Sequence, residues 1–180
     1  TERRASTIPT TEAEDFEKLI NKQKDTKTNS IMLVEANSGF HPMLVNWLAH
    51  IKRLNITSYL IVALDQKEYN LLCSMGEPVA LSKGQFATDR TGYRTKHYNE
   101  IVRNKWSLIA SVLGMGVNAL ISDIDVVWFR DPLPGLSSTS ANCSMLFSSN
   151  DQMAMGFLSS AIEKNKFLLK SWGIIGYDNT

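Results

Sequence analysis

Three short runs in this chain are built almost wholly of apolar residues. Ile31 to Ala36 is interrupted only by Glu35, Tyr59 to Leu64 runs unbroken into Asp65, and Val117 to Ile121 carries only Asn118. Runs of this length that lack apolar–polar alternation are strands covered on both faces, because a strand with one wet face alternates. Between them lie stretches of a different period. Pro42 stands where a first helical position falls, and Leu44, Trp47, Leu48, Ile51 and Leu54 recur at helical spacing behind it. Gln66 to Met75 reads as a helix stopped by Gly76, and Tyr98 to Leu113 is the strongest helix, closed by Gly114. Doubly buried strands alternating with amphipathic helices predict an α/β/α sandwich in three layers around a mostly parallel sheet.

The remaining elements are weaker. Thr11 to Gln23 predicts a short helix, with Thr11 and Glu14 as a capping box and Phe16, Leu19 and Ile20 as its apolar stripe. Pro78 to Leu81 and Ser144 to Ser148 are short strand candidates, and Ser159 to Trp172 a last helix. Residues 1–29 form a polar N-terminal segment holding the first helix, and 30–180 form the α/β domain.

Composition narrows the function. Nineteen Lys and Arg against 18 Asp and Glu leave a net charge of +1. No field of one sign draws in nucleic acid, and no basic cluster is interleaved with aromatics. Two cysteines, Cys73 and Cys143, are too few for a disulfide framework and read as small buried apolar residues. No apolar segment is long enough to span a bilayer. The chain begins with Thr, and any signal or anchor is expected to precede this sequence. Asn55-Ile56-Thr57 and Asn142-Cys143-Ser144 are N-glycosylation sequons and point to the secretory pathway.

Chemistry concentrates where the third run ends. Asp123 and Asp125 sit one residue apart between apolar neighbours. Carboxylates in such surroundings cost several kcal/mol unless a positive group pairs with them, with ~3–5 kcal/mol typical when one partner of a buried pair is missing. A hard divalent cation is the natural partner for paired carboxylate oxygens. With extended backbone, Ile124 points away and both acids face one side, where they either hold a ligand or, as an Asp-rich strand end, cap the next element. Ligands in open α/β sheets bind beyond the carboxyl ends of the strands, and Asn37, Asp65 and Asp123 all lie there. Lys105 interrupts the stripe of Ile101, Leu108 and Val112. It either snorkels over apolar surface or aims its ammonium at phosphate or at Asp123. Asn37-Ser38-Gly39 is a tight turn or a backbone approach to a ligand, but neither a dinucleotide fingerprint nor a P-loop. Arg90, Arg94 and Lys96 are either a solvated loop or a lid over a diphosphate. Trp128 and Phe129 are core or subsite walls. The three histidines show no ligand spacing, and His50 reads as structural or exposed.

Ser122-Asp123-Ile124-Asp125-Val126-Val127-Trp128-Phe129-Arg130-Asp131-Pro132-Leu133 resembles the signature of the nucleotide-diphospho-sugar transferase family, which includes plant pectin xylosyltransferases and extensin arabinosyltransferases. The likeness extends to Ala36-Asn37-Ser38-Gly39, to Val62-Ala63-Leu64-Asp65, and to Lys105-Trp106 with Leu113-Gly114, covering about Ile31 to Ser149.

The resemblance implies a GT-A-like (Rossmann-like) fold, a nucleotide-sugar donor, usually UDP-linked, Mn²⁺ or Mg²⁺, and retention of anomeric configuration. By position it assigns the metal to Asp125 with help from Asp123, which also contacts the donor. Asn37 and Asp65 hold the nucleoside, Lys105 lies near the donor, and Ala36 and Ile124 belong to the same nucleotide-sugar site. A glycan or glycoprotein acceptor and a Golgi or secretory location, as a type II membrane protein at full length, come with the family.

Beyond Ser149 the pattern departs: Ala154-Met155-Gly156-Phe157 stands where the family carries Asn-x-Gly-Phe, and no His follows Asp125 as a further ligand. The expectation is a C-terminally truncated chain that keeps the donor half. Two alternatives accompany it. One is an inactive or donor-binding-only relative. The other is a haloacid-dehalogenase-type phosphatase, with Asp123 as nucleophile and Asp125 as acid/base. The second is disfavoured by the two strand–helix units before Asp123 and by the lack of a later acidic pair.

Overall fold

The computed structural model describes residues 10–84, 86, 88, 95–135, 145–147 and 173–176, with 10–14, 145–147 and 173–176 described in backbone only. The elements follow the sequence pattern closely. Helix α1 spans Thr10–Gln23, β1 Ser30–Ala36, α2 His41–Arg53, β2 Tyr59–Ala63, α3 Gln66–Ser74, β3 Val79–Leu81, α4 Lys96–Leu113 and β4 Asn118–Ser122. Two short strands, β5 (Met145–Phe147) and β6 (Gly173–Gly176), complete the sheet.

The strand order is β3-β2-β1-β4-β6-β5. The first four strands are parallel throughout, with Val34 paired to Ile61 on one side and to Ser122 on the other. β6 runs antiparallel to both β4 and β5. This is the expected α/β sandwich with a mostly parallel sheet. All seven residues of β1 and all five of β2 are buried, as strands covered on both faces must be.

Alternate residues of β1 feed two separate cores, as the period of two requires. Met32, Val34 and Ala36 join Leu44, Trp47, Leu48 and Ile51 of α2 and Leu72 of α3. Ile31 and Leu33 join Ile20 of α1 and Ile109 and Val112 of α4 on the opposite face. The first helix therefore packs on the sheet through Ile20, Phe16 and Leu19.

Two expectations change. Cys73 is exposed on α3 and free, since Leu72 takes the core-facing position beside it. Strand β6 was not anticipated: its Gly-Ile-Ile-Gly offers only two apolar residues between glycines, too short a period to read. The expected helix Ser159 to Trp172, Cys143, the Thr11–Glu14 side chains, and Arg90 and Arg94 lie outside the described residues.

Candidate active site at the carboxyl edge of the sheet

The carboxyl ends of β1, β2 and β4 lie side by side, which brings Asn37, Asp65 and Asp123 to one edge. β4 ends at Ser122, and the chain turns at once: Val126 N donates to Asp123 O at 3.2 Å. The backbone at Ile124 and Asp125 is thus a turn and not extended, so strand alternation does not set the direction of the two acids. The turn sets it. Asp123 keeps a side chain 40% exposed, and Asp125 is exposed. Among the described residues, Asp125 makes no hydrogen bond or ion pair.

Ser122 fixes where this turn starts. Its hydroxyl accepts Trp47 Nε1–H at 3.1 Å and Trp128 Nε1–H at 3.1 Å, and donates to Asp123 O at 3.1 Å. Two lone pairs and one proton are all used, so three polar groups are satisfied in a largely apolar setting. Trp47 comes from α2 and Trp128 from just beyond the acidic pair, so the turn is tied to the helix layer at both ends. Trp128 is a core residue. Phe129 is 86% exposed, and Val127 is exposed with it.

Lys105 does reach Asp123. Its ammonium pairs with Asp123 Oδ1, and the Lys105 side chain is only 22% exposed. Adjacent on α4, Asn104 donates through Nδ2 to Glu35 Oε1 at 2.5 Å. Two consecutive side chains therefore fasten α4 to the ends of two neighbouring strands. Thr95 starts that helix with a cap, its hydroxyl accepting from Tyr98 N at 3.2 Å. Lys96 lies exposed in the first turn.

Glu35 is the group that sequence reasoning passed over. It is 7% exposed, and its Oε2 has no hydrogen-bond partner among the described residues. Burial pushes its carboxyl up to about 7; Lys105 and the Asn104 hydrogen bond oppose the rise, and Asp123 adds to it. The signal was present as the one charged residue inside an otherwise apolar strand.

Asp65 carries a structural load. One oxygen accepts Glu68 N at 2.8 Å and caps α3. The other accepts Ser38 N at 2.7 Å across the strand ends. The Ser38 amide is therefore already engaged by Asp65. Asn37 is buried, at the start of a 3-10 turn over Ser38–Phe40, and its carbonyl accepts Phe40 N at 3.0 Å. Ala36 is buried and Ile124 partly buried against the α2-side core. His41 Nδ1 lies 2.9 Å from Glu68 Oε1, and His50 beside Arg53 at 3.0 Å.

The arrangement supplies carboxylate oxygen at an open edge, an ammonium beside it, and rigid strand ends below. Among the described residues, no three His, Cys, Asp or Glu side chains gather as a metal cage. The two acids do fit a hard cation by donor chemistry. They would hold it with other oxygen ligands, as a cation that keeps waters or binds a phosphate is held.

A parallel α/β sheet with an acidic turn at its carboxyl edge is the layout of a ligand-binding α/β domain of the GT-A kind. The chain belongs to the nucleotide-diphospho-sugar transferase family, whose pattern it matches over residues 54–158. It is 30% identical over 127 residues to Beta-arabinofuranosyltransferase RAY1 of Arabidopsis thaliana, covering 69% of this chain and 24% of that protein. It is 32% identical over 136 residues to Arabinosyltransferase RRA2 of Arabidopsis thaliana, covering 75% of this chain and 31% of the relative. To UDP-D-xylose:L-fucose alpha-1,3-D-xylosyltransferase 1 of Arabidopsis thaliana it is 28% identical over 116 residues, covering 59% and 30%. The chain thus spans less than a third of the length of these relatives. Family membership sets aside the phosphatase alternative.

Proposed function

We propose that this chain is the donor-binding part of a metal-dependent glycosyltransferase. The donor is a nucleotide sugar, with UDP as carrier, and the sugar is transferred to a glycan or glycoprotein with retention of configuration in the secretory pathway. One observation carries the reading. At the carboxyl end of β4, Asp123 is held by Lys105 while Asp125 stands exposed beside it, with no partner among the described residues. Paired carboxylates next to an ammonium suit a diphosphate bridged by a divalent cation.

In this reading Asp125 and Asp123 hold Mn²⁺ or Mg²⁺, which supplies charge neutralisation for the departing diphosphate. Lys105 orients Asp123 and places a second positive charge against phosphate. Asp65 acts by bracing the Asn37–Ser38 turn, so that the buried strand ends present a fixed backbone to the nucleoside. Ala36 and Ile124 border the same edge. The relatives named xylosyltransferase and arabinosyltransferase support a pentose as the sugar.

The test is calorimetric titration of the chain with UDP, with and without Mn²⁺. Metal-dependent binding is expected, and Asp125→Ala should weaken it at least tenfold while leaving the melting temperature of the free chain unchanged. Equal UDP affinity without metal, or with alanine at position 125, would overturn the reading.

A further inference from the structure

We propose that Asn55 is an N-glycan attachment site, placed on the rim of the sheet opposite the donor edge. The inference rests on the secretory location in the functional reading, and concerns a part of the molecule which that function does not use.

Position 55 has an evident structural duty. Helix α2 ends in a paired-bond cap: Asn55 N donates to Lys52 O at 3.0 Å and Ile56 N to Ile51 O at 3.1 Å. The residue after such a helix end takes the left-handed conformation, and Asn55 has φ of +55°. Glycine or asparagine serves there, so the cap alone accounts for Asn55. It does not account for Thr57. That residue is exposed, and its hydroxyl makes no hydrogen bond among the described residues. The Asn55 amide group is likewise exposed and free of hydrogen bonds among them. Between the two, Ile56 turns into the core. An Asn and a Thr two residues apart, both with unengaged side chains on the surface, are what glycan addition to Asn-x-Thr requires.

The surroundings leave room. Asn55 and Thr57 border a shallow depression of about 340 Å³ that also reaches Lys52, Tyr59 and Pro78. The polar groups nearby are already committed: Glu77 pairs with Lys52 and accepts Tyr59 O–H at 2.8 Å. A glycan therefore displaces no internal bond. It leaves from the amino end of β2, whereas the donor edge lies at the carboxyl end of that strand. Five residues at about 3.3 Å each put the two rims roughly 16 Å apart, so the attachment point is separated from the acidic pair by the length of the strand.

The modification is a group transfer. The Asn55 side-chain nitrogen attacks C1 of the first sugar of a polyprenyl-diphosphate-linked oligosaccharide, the donor named here by its class. The N–C1 bond forms, the C1–O bond to the diphosphate breaks, the polyprenyl diphosphate leaves with the electron pair, and the nitrogen gives up one proton.

The test expresses the chain behind a cleavable signal sequence in a eukaryotic secretory host. The tryptic peptide from Leu54 to Lys67 is then mapped by mass spectrometry before and after N-glycosidase treatment. The expected result is a glycopeptide that becomes an aspartate-bearing peptide at position 55. It should be absent in Asn55→Gly, which keeps the helix cap, and in Thr57→Ala, which keeps the asparagine. Secreted chain carrying an unmodified Asn55 would overturn the proposal. Because the signal sequence forces lumenal entry, that failure is distinct from a failure of the secretory reading, which immunolocalisation of the native protein reports. Peptide mapping separates Asn55 from the second sequon at Asn142.

Discussion

Glu35 is the residue whose behaviour departs furthest from its sequence appearance. Its carboxyl lies at about 7 because burial disfavours its charge more than Lys105 and Asn104 favour it. The consequence for stability has a definite sign. Below about pH 4.5, folded and unfolded chains both hold the proton, and Glu35 contributes no pH dependence. Between about 4.5 and 7 the folded chain binds a proton that the unfolded chain has released, so stability falls as pH rises. Above 7 the penalty is complete, at about 3 kcal/mol from 1.36 kcal/mol per unit. Glu35→Gln should abolish this slope, keeping the Asn104 bond through the amide oxygen. Urea unfolding of both forms at pH 5 and pH 8 checks it: the variant should gain stability relative to wild type at pH 8 by up to about 3 kcal/mol. An unchanged difference between the two pH values would show that Glu35 is solvated. The sequence marked Glu35 only as an interruption. Its partners come from α4, some seventy residues on, and the order of residues does not reveal which helix covers which strand.

Among the elements, the strands and helices were legible to within one or two residues, because each combines a clear period with a stop signal such as Gly76 or Gly114. Two things were not. The turn after β4 looks like extended strand in sequence, since Ile124, Val126 and Val127 are all strand formers; the Val126–Asp123 bond wins instead. The cause lies in Ser122, whose hydroxyl holds an indole from α2 and another from Trp128, drawing the chain back on itself. The second is β6, whose pairing partners β4 and β5 on either side supply its reason to be a strand. The junction of α2, β4 and the acidic turn therefore depends on one hydroxyl. Ser122→Ala should leave two buried indole N–H groups without acceptors, at ~1–3 kcal/mol each. The combined loss expected in urea unfolding is about 2–6 kcal/mol. Donor affinity should fall as well, because Asp123 loses the bond that anchors its carbonyl. A loss below about 0.5 kcal/mol, the range of an ordinary surface change, would mean the indoles find other acceptors.

For the whole molecule, the parallel sheet separates two rims with different duties. The carboxyl rim gathers Asn37, Asp65, Asp123 and Asp125, while the amino rim carries the Asn55 turn and the Glu77 network. Binding at one rim should leave distinct traces at different depths of the fold. Ligand that binds only the native state raises global stability by about 2.7 kcal/mol at a hundredfold excess over Kd. Amides of β1 and β4, which exchange through global unfolding, should then slow by about a hundredfold. Amides at 36–40 and 122–127 open locally, and under the proposed function they should slow because UDP with Mn²⁺ would hold their backbone directly. Those at 54–58 also open locally but lie on the far rim, so their exchange should not change. Hydrogen exchange read by mass spectrometry, with UDP and Mn²⁺ and with Mn²⁺ alone, resolves all three groups in one experiment. Protection confined to 54–58 would move the ligand to the depression beside Asn55. Slowing of the central strands without any change at 122–127 would place it on the sheet but away from the acidic turn, and either pattern would refute the donor site.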